Sequence, residues 1–205
     1  MLIDQNLQNL NWTKNNGLIP AIAQHYISGE ILMFGYMNQK AFDKMISNKL
    51  FTLYSRKKKR IWIKGETSKN FLYVKNISTD CDTDVILVKV NPAGNTCHLN
   101  RFSCFESSHQ LPYTFLYKLE NRIRNKKENF SRSSYVSNLF SSGNNRIAQK
   151  IGEESVEVII AFLENNHVNI INETSDLIFH LFILLQSMNI NLYKIIKNLQ
   201  KRVKK

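Results

Sequence analysis

The sequence predicts an α+β protein, β-rich in its first part and all-helical in its second, on three observations. Up to about residue 105, short runs of β-branched and aromatic residues alternate with turn residues. From about Leu116 onward Gly and Pro nearly vanish, and apolar residues recur at helical spacing. Between these parts, Ser107 to Tyr113 is polar and contains Pro112, a natural hinge. With 205 residues the chain can hold two domains that each bury a core, expected at residues 1–113 and 114–205.

In chain order the expected strands are Ile19–Ile22, Ile31–Tyr36, Thr52–Ser55, Arg60–Lys64, Phe71–Ile77 and Val85–Val90. Ser28-Gly29 and Pro92-Ala93-Gly94 supply turns between them. One helix interrupts the series, over Gln39–Asn48. In the second part, Ile147, Ile151, Val158, Ile159 and Phe162 mark one helical face, and Leu177, Leu181, Leu184 and Leu185 another. The short Glu164-Asn165-Asn166-His167 connection lets these two helices pack antiparallel.

The Met1 region is polar, and no uninterrupted apolar run approaches the ~18 residues of a membrane span. The expectation is a cytoplasmic chain that does not engage a membrane. Three clustered cysteines in a reducing compartment point to metal or chemistry rather than to disulfides. The net charge of +12 admits nucleic acid as a partner, but abundant Lys, Asn and Ile together read as compositional drift of the surface. Lys57-Lys58-Lys59-Arg60 reads as a charged hairpin tip.

The first chemical constellation is Asp80-Cys81-Asp82-Thr83-Asp84 with Cys97 and Cys104. Three thiolates can hold zinc and leave a fourth tetrahedral position for water, whereas aspartates are hard donors that suit magnesium. If residues 80–84 are extended, side-chain alternation puts Asp80, Asp82 and Asp84 on one face and Cys81 on the other. A magnesium site and a zinc site would then lie on opposite sides, or across a subunit boundary. A closed zinc knot with His98 as fourth ligand is the structural alternative, and an acidic turn is the alternative for the aspartates. A free His98 near a zinc-bound water could take its proton and pass it on. Ser55-Arg56 and Lys64-Gly65-Glu66-Thr67-Ser68 offer cations, an open backbone and hydroxyls, the ingredients of either a phosphate cradle or a polar hairpin turn.

These residues, with Gly17-Leu18-Ile19-Pro20-Ala21-Ile22, Tyr36-Met37-Asn38, Trp62-Ile63 and Ser103-Cys104-Phe105, resemble phosphoribosyl-AMP cyclohydrolase of histidine biosynthesis over roughly residues 17–105. The resemblance implies a homodimer in which Cys81 of one subunit meets Cys97 and Cys104 of the other at Zn2+, with Asp80, Asp82 and Asp84 on Mg2+. It also implies attack of zinc-activated water on adenine C6, with opening of the N1–C6 bond and His98 managing the proton. The family's Gly-Pro-Ala-Cys-His-Thr-Gly type loop is here Gly94-Asn95-Thr96-Cys97-His98-Leu99-Asn100.

The second constellation is helical. Glu153, Glu154 and Glu157 fall within one turn, and Glu173 and Asp176 lie three apart on the next helix. Converging carboxylates would bind one or two Mg2+ ions, hold a polyphosphate and polarise a water for attack on it. Taken alone, Glu153-Glu154 reads as a solvated face. Glu173 and Asp176, however, adjoin the apolar Leu177-Ile178-Phe179, where an unpaired carboxylate is costly. Lys150 and Arg146 can neutralise phosphate or form salt bridges, and His180 reads as a packed or supporting histidine.

Ser134-Tyr135, Lys150-Ile151-Gly152-Glu153-Glu154-Ser155-Val156-Glu157 and Glu173-Thr174-Ser175-Asp176-Leu177 with His180 resemble phosphoribosyl-ATP pyrophosphohydrolase, from about Leu116 to Arg202. That family is an all-α nucleotide pyrophosphohydrolase of MazG-like type, and the resemblance implies metal-dependent pyrophosphate release. Together the two resemblances describe a bifunctional hydrolase of phosphoribosyl nucleotides in the histidine pathway. Two readings compete with it. One is a zinc-stabilised nucleic-acid binder with a helical tail, which leaves the acidic clusters unexplained. The other is a general nucleoside triphosphate pyrophosphohydrolase with a structural first domain.

Overall fold

The computed structural model describes residues 2–3, 5–14, 16–105 and 112–203, so the expected hinge at Ser107 to Tyr113 lies mostly outside the described residues. The chain divides into two compact units, Met1–Thr114 and Phe115–Lys205.

The first unit contains β1 (Leu2–Ile3), β2 (Ile19–His25), β3 (Ile31–Met37), α1 (Gln39–Asn48), β4 (Thr52–Ser55), β5 (Arg60–Ile63), β6 (Leu72–Thr79) and β7 (Ile86–Pro92). Five strands form one sheet in the order β1-β6-β7-β2-β3, and β4 and β5 pair as a separate hairpin. β2 runs parallel to β7 and antiparallel to β3. Alternation along β2 buries Ile19, Ala21 and Ala23 completely. In β6 the buried positions are Leu72, Val74 and Ile77, because a register shift between Val74 and Asn76 advances the alternation by one residue. α1 is capped by the Asn38 side chain, which accepts from the Ala41 N–H at 2.9 Å, and it buries Ala41 and Met45 against the sheet core. The basic tip of the β4–β5 hairpin is exposed, and the Ser55 hydroxyl accepts from the Lys58 N–H at 3.2 Å. Periodicity did not reveal β1, which is only two residues long.

The second unit is helical: α2 (Pro112–Glu128, beginning in the first unit), α3 (Tyr135–Ser141), α4 (Asn144–Leu163), α5 (His167–Ser187) and α6 (Leu192–Val203). α2 opens on Pro112, read above as part of the hinge; a fixed φ suits the first helical position. α4 and α5 form a hairpin whose turn is closed by Asn166, which accepts from the Asn169 N–H at 3.1 Å. The core here is Ile123, Leu139, Ile147, Phe182, Ile183 and Leu185. Buried Glu120 links α2 to the α5–α6 turn, accepting from the Leu192 N–H at 2.6 Å and the Gln186 amide at 3.2 Å.

The apolar periodicity of α4 and α5 is only partly used for this core. Ile159, Phe162 and Leu181, expected on packed faces, are exposed at 56%, 66% and 41%. Val156, Ile160, Leu163, Val168, Ile171 and Ile178 are exposed as well. α5 is also long and apolar enough by length and composition to cross a membrane, although it carries Glu173, Asp176 and His180.

Candidate functional site

In the first unit, a cavity of about 650 Å³ is walled on one side by the turn after β5 and on the other by the loop after β7. Lys64, Gly65, Glu66, Thr67 and Ser68 come from the turn, Ser55 from β4, and Cys97, His98 and Cys104 from the loop and its continuation. Arg60, Trp62 and Ile63 of β5 and the following Lys64 line the cavity. Glu66 is fixed rather than free: it pairs with Arg60 and accepts from the Ile63 N–H at 3.2 Å. Its hydrogen bond with Arg60 holds its carboxyl below the usual range.

The Cys97 and Cys104 thiols line the same cavity. Burial pushes the Cys104 thiol up, and the charge of Cys97 adds to the effect. Burial also lowers the pKa of Lys64, while the Cys104 and Cys97 charges oppose that change. Two soft sulfur donors beside an exposed imidazole suit zinc in kind, but one chain supplies only these two thiols to the cavity. The Thr96 hydroxyl in the same wall is buried without a hydrogen-bond partner.

Cys81 lies elsewhere, exposed on the 80–84 turn. That segment is not extended, as the sequence reading assumed, but a turn in which Thr83 has φ +57°. Strand alternation therefore does not separate its aspartates from its cysteine. Asp80 Oδ1 accepts from the backbone N–H groups of Asp84 and Val85, both at 3.1 Å. Desolvation would raise the Asp80 pKa, and these bonds carry it below the ordinary value. Asp84 pairs with Lys14, and Asp82 is exposed. Both engaged carboxylates thus have local structural partners. Arg56 does not line the cavity; its guanidinium lies 4.0 Å above the Tyr36 ring.

In the second unit, α4 and α5 bring Glu154, Glu157 and Glu173 together, each offering a ligand atom within 4.8 Å of the others. Among the described residues this is the one such group of His, Cys, Asp and Glu side chains. Desolvation and then the Glu157 charge raise the Glu173 pKa. Hard oxygen donors in this arrangement fit magnesium. Glu154 is 5% exposed, and its Oε1 meets Lys150 Nζ at 2.9 Å and His180 Nδ1 at 3.4 Å. His180 is itself fixed, with Nδ1 bonded to the Asp176 carbonyl at 2.9 Å and Nε2 to the Tyr135 hydroxyl at 2.8 Å. Glu153 turns away toward Lys150, Gln149 and Arg146, and the Lys150 hydrogen bond depresses its pKa. Asp176 is exposed beside the trio and contributes its charge to Glu173.

The family model for phosphoribosyl-AMP cyclohydrolase matches residues 33–106, and that for phosphoribosyl-ATP pyrophosphohydrolase matches residues 116–203. Over 205 residues the chain is 50% identical to the histidine biosynthesis bifunctional protein HisIE of Buchnera aphidicola from Acyrthosiphon pisum, covering all of this chain and 95% of that protein. The proteins of the same name from Salmonella typhimurium and Escherichia coli K12 are 49% and 47% identical, over 98% of this chain and 99% of theirs. The chain belongs to the bifunctional cyclohydrolase and pyrophosphohydrolase family of histidine biosynthesis. It is a bifunctional hydrolase, with the cyclohydrolase module first and the pyrophosphohydrolase module second.

For this bifunctional hydrolase, the sequence reading missed Asn70, Asn95 and Asn100, all lining the cyclohydrolase cavity. Their signal was faint: asparagines flank Cys97-His98, and asparagine tolerates left-handed turns.

Proposed function

We propose that the helical unit cleaves phosphoribosyl-ATP to phosphoribosyl-AMP and pyrophosphate at the Glu154–Glu157–Glu173 cluster, and that the β-rich unit opens the adenine ring at the 650 Å³ cavity. The observation that carries the ring-opening reading is the meeting of Cys97, Cys104, His98 and the Lys64–Ser68 turn on one cavity. Ser55, Lys64, Gly65, Thr67 and Ser68 bind the phosphoribosyl phosphate; Glu66, paired with Arg60, shapes the turn. His98 takes the proton of the attacking water and delivers it to N1 as the N1–C6 bond breaks. Zinc held by Cys97 and Cys104 supplies, when bound, a Lewis acid that lowers the pKa of water.

The third thiolate comes from Cys81 of a second copy, because Cys81 sits on an exposed turn and does not line its own chain's cavity. The uncovered apolar stripes of α4 and α5 are consistent with a homodimer. Asp80, Asp82 and Asp84 remain candidates for a magnesium site of the cyclohydrolase module.

In the helical unit, Glu154, Glu157 and Glu173 hold magnesium, with Asp176 and Glu153 beside them. Magnesium there supplies charge neutralisation of the triphosphate. Glu154 and Glu157 orient the water, and Lys150 meets phosphate oxygens or holds Glu153 and Glu154 in place. The substrates are small phosphoribosyl nucleotides rather than nucleic acid, and the setting is cytoplasmic.

The test follows both intermediates from phosphoribosyl-ATP. Cys81→Ser should accumulate phosphoribosyl-AMP. Glu154→Gln should leave phosphoribosyl-ATP uncleaved yet open added phosphoribosyl-AMP. Mixing Cys81→Ser with Cys97→Ser subunits should restore ring opening if the thiolates come from different chains. Normal ring opening by Cys81→Ser would defeat the zinc reading.

A further inference from the structure

We propose that Asn70 is a positioning residue that sets the gap between the two walls of the cyclohydrolase cavity, acting through Asn95 and Asn100 on the Cys97-His98 loop. The inference rests on the reading that Cys97 and His98 act in ring opening. One wall is the Gly65–Ser68 turn, and Asn70 closes it from behind. Its backbone lies so close to Gly65 that a Cβ there would stand 2.6 Å from the Asn70 carbonyl group, and its N–H donates to the Ser68 hydroxyl at 3.3 Å.

The other wall is the 94–100 loop, and the Asn70 side chain holds it. Nδ2 donates to the Asn95 carbonyl at 3.1 Å, while Oδ1 packs against Gly94, where an added Cβ would stand 2.6 Å away. A side chain at 94 would therefore force the walls apart or displace the amide.

The hold then passes along the loop. Asn95 Nδ2 donates to the Asn100 carbonyl at 2.9 Å and to its Oδ1 at 2.8 Å, bridging across Cys97 and His98. Asn100 can accept this geometry because it sits in the left-handed region, φ +58°, with its N–H bonded to the Cys97 carbonyl at 3.1 Å. The two residues that carry chemistry are thus fastened on both sides by neutral amides. The clamp does not titrate, so it holds the loop equally across the pH range in which an imidazole must gain and lose a proton.

The experiment measures both activities in wild type, Asn70→Ala, Asn95→Ala and the double variant, with zinc content after dialysis against a chelator. Asn70→Ala is expected to lower kcat for ring opening about 10–100-fold, as misplaced catalytic groups do, with KM changed much less. Zinc should be lost faster, pyrophosphate release by the same chain should stay within about two-fold, and a cooperative urea transition of Trp12 and Trp62 fluorescence should show that the first unit is still folded. Because both links act on one loop, the double variant should lose little more than the more damaging single one. Unchanged kcat in Asn70→Ala, or a parallel fall of both activities, would overturn the clamp. Full ring opening by His98→Ala would overturn the underlying reading of the loop and, with it, the clamp's purpose.

Discussion

Gly65→Ala probes the wall of the cyclohydrolase cavity through strain that can be worked out from the backbone. Gly65 has φ +96°, a region that side chains rarely adopt, and the added methyl would lie 2.6 Å from the Asn70 carbonyl group and 2.7 Å from the Phe71 nitrogen. The backbone conformation costs ~1–2 kcal/mol. Overpacking against main chain that cannot rotate away adds ~1–3 kcal/mol. The total of ~2–5 kcal/mol, divided by a urea slope of ~2 kcal/mol per M, lowers the midpoint by ~1–2.5 M. Both tryptophans, Trp12 and Trp62, belong to the first unit, so tryptophan fluorescence in urea reads that unit alone. Gly94→Ala is the comparison, since the atoms nearest its methyl belong to the Asn70 side-chain amide. Turning that amide aside costs ~1 kcal/mol, with about as much again for the lost hydrogen bond. A Gly65→Ala midpoint within ~0.3 M of wild type, or no lower than that of Gly94→Ala, would refute the reasoning.

Two further outcomes are expected. Burial lowers the pKa of His25 from 6.5 to about 4, and its Nδ1 accepts from the Ser28 N–H at 3.0 Å, so the folded state holds it neutral. The unfolded chain takes up the proton first as pH falls. Stability is thus fully present above about 6.5 and up to about 3 kcal/mol of it is lost on approaching pH 4. Urea midpoints across that range should show the slope in wild type and not in His25→Gln; equal slopes would contradict the assignment. Glu120→Leu leaves the Leu192 N–H without its acceptor and the Gln186 amide with only the Ile190 carbonyl, at ~1–3 kcal/mol for each lost partner. The temperature of half-inactivation of pyrophosphate release should drop by about 10 °C or more, and an unchanged value would show that the Glu120 link is dispensable.

Much of the fold was legible because its elements carry local signals. The helix expected over Gln39–Asn48 is found with those bounds, and Thr52–Ser55 reads as a strand from β-branched and aromatic residues between turns. The 80–84 segment misled for a physical reason. Asp80 spends its carboxylate on the backbone N–H groups of Asp84 and Val85, which bends a stretch that side-chain alternation treats as straight. The apolar stripe of α4 misled differently: spacing shows that a face is apolar, not that its own chain covers it, and Phe162 is left 66% exposed.

By itself the sequence determined the chemistry available: soft thiols and an imidazole in the first half, hard carboxylates in the second, each at a spacing that belongs to a known module. It also determined the strand and helix types, since alternation and helical periodicity are properties of neighbouring residues. Only the tertiary structure decided which of those groups meet. It brought Glu157 and Glu173 together while turning Glu153 outward, left Cys81 apart from Cys97 and Cys104, and set Asn70 between the two cavity walls. Such meetings depend on the register of α4 against α5 and on close approaches at Gly65 and Gly94, contacts between residues distant in the chain that no local pattern encodes.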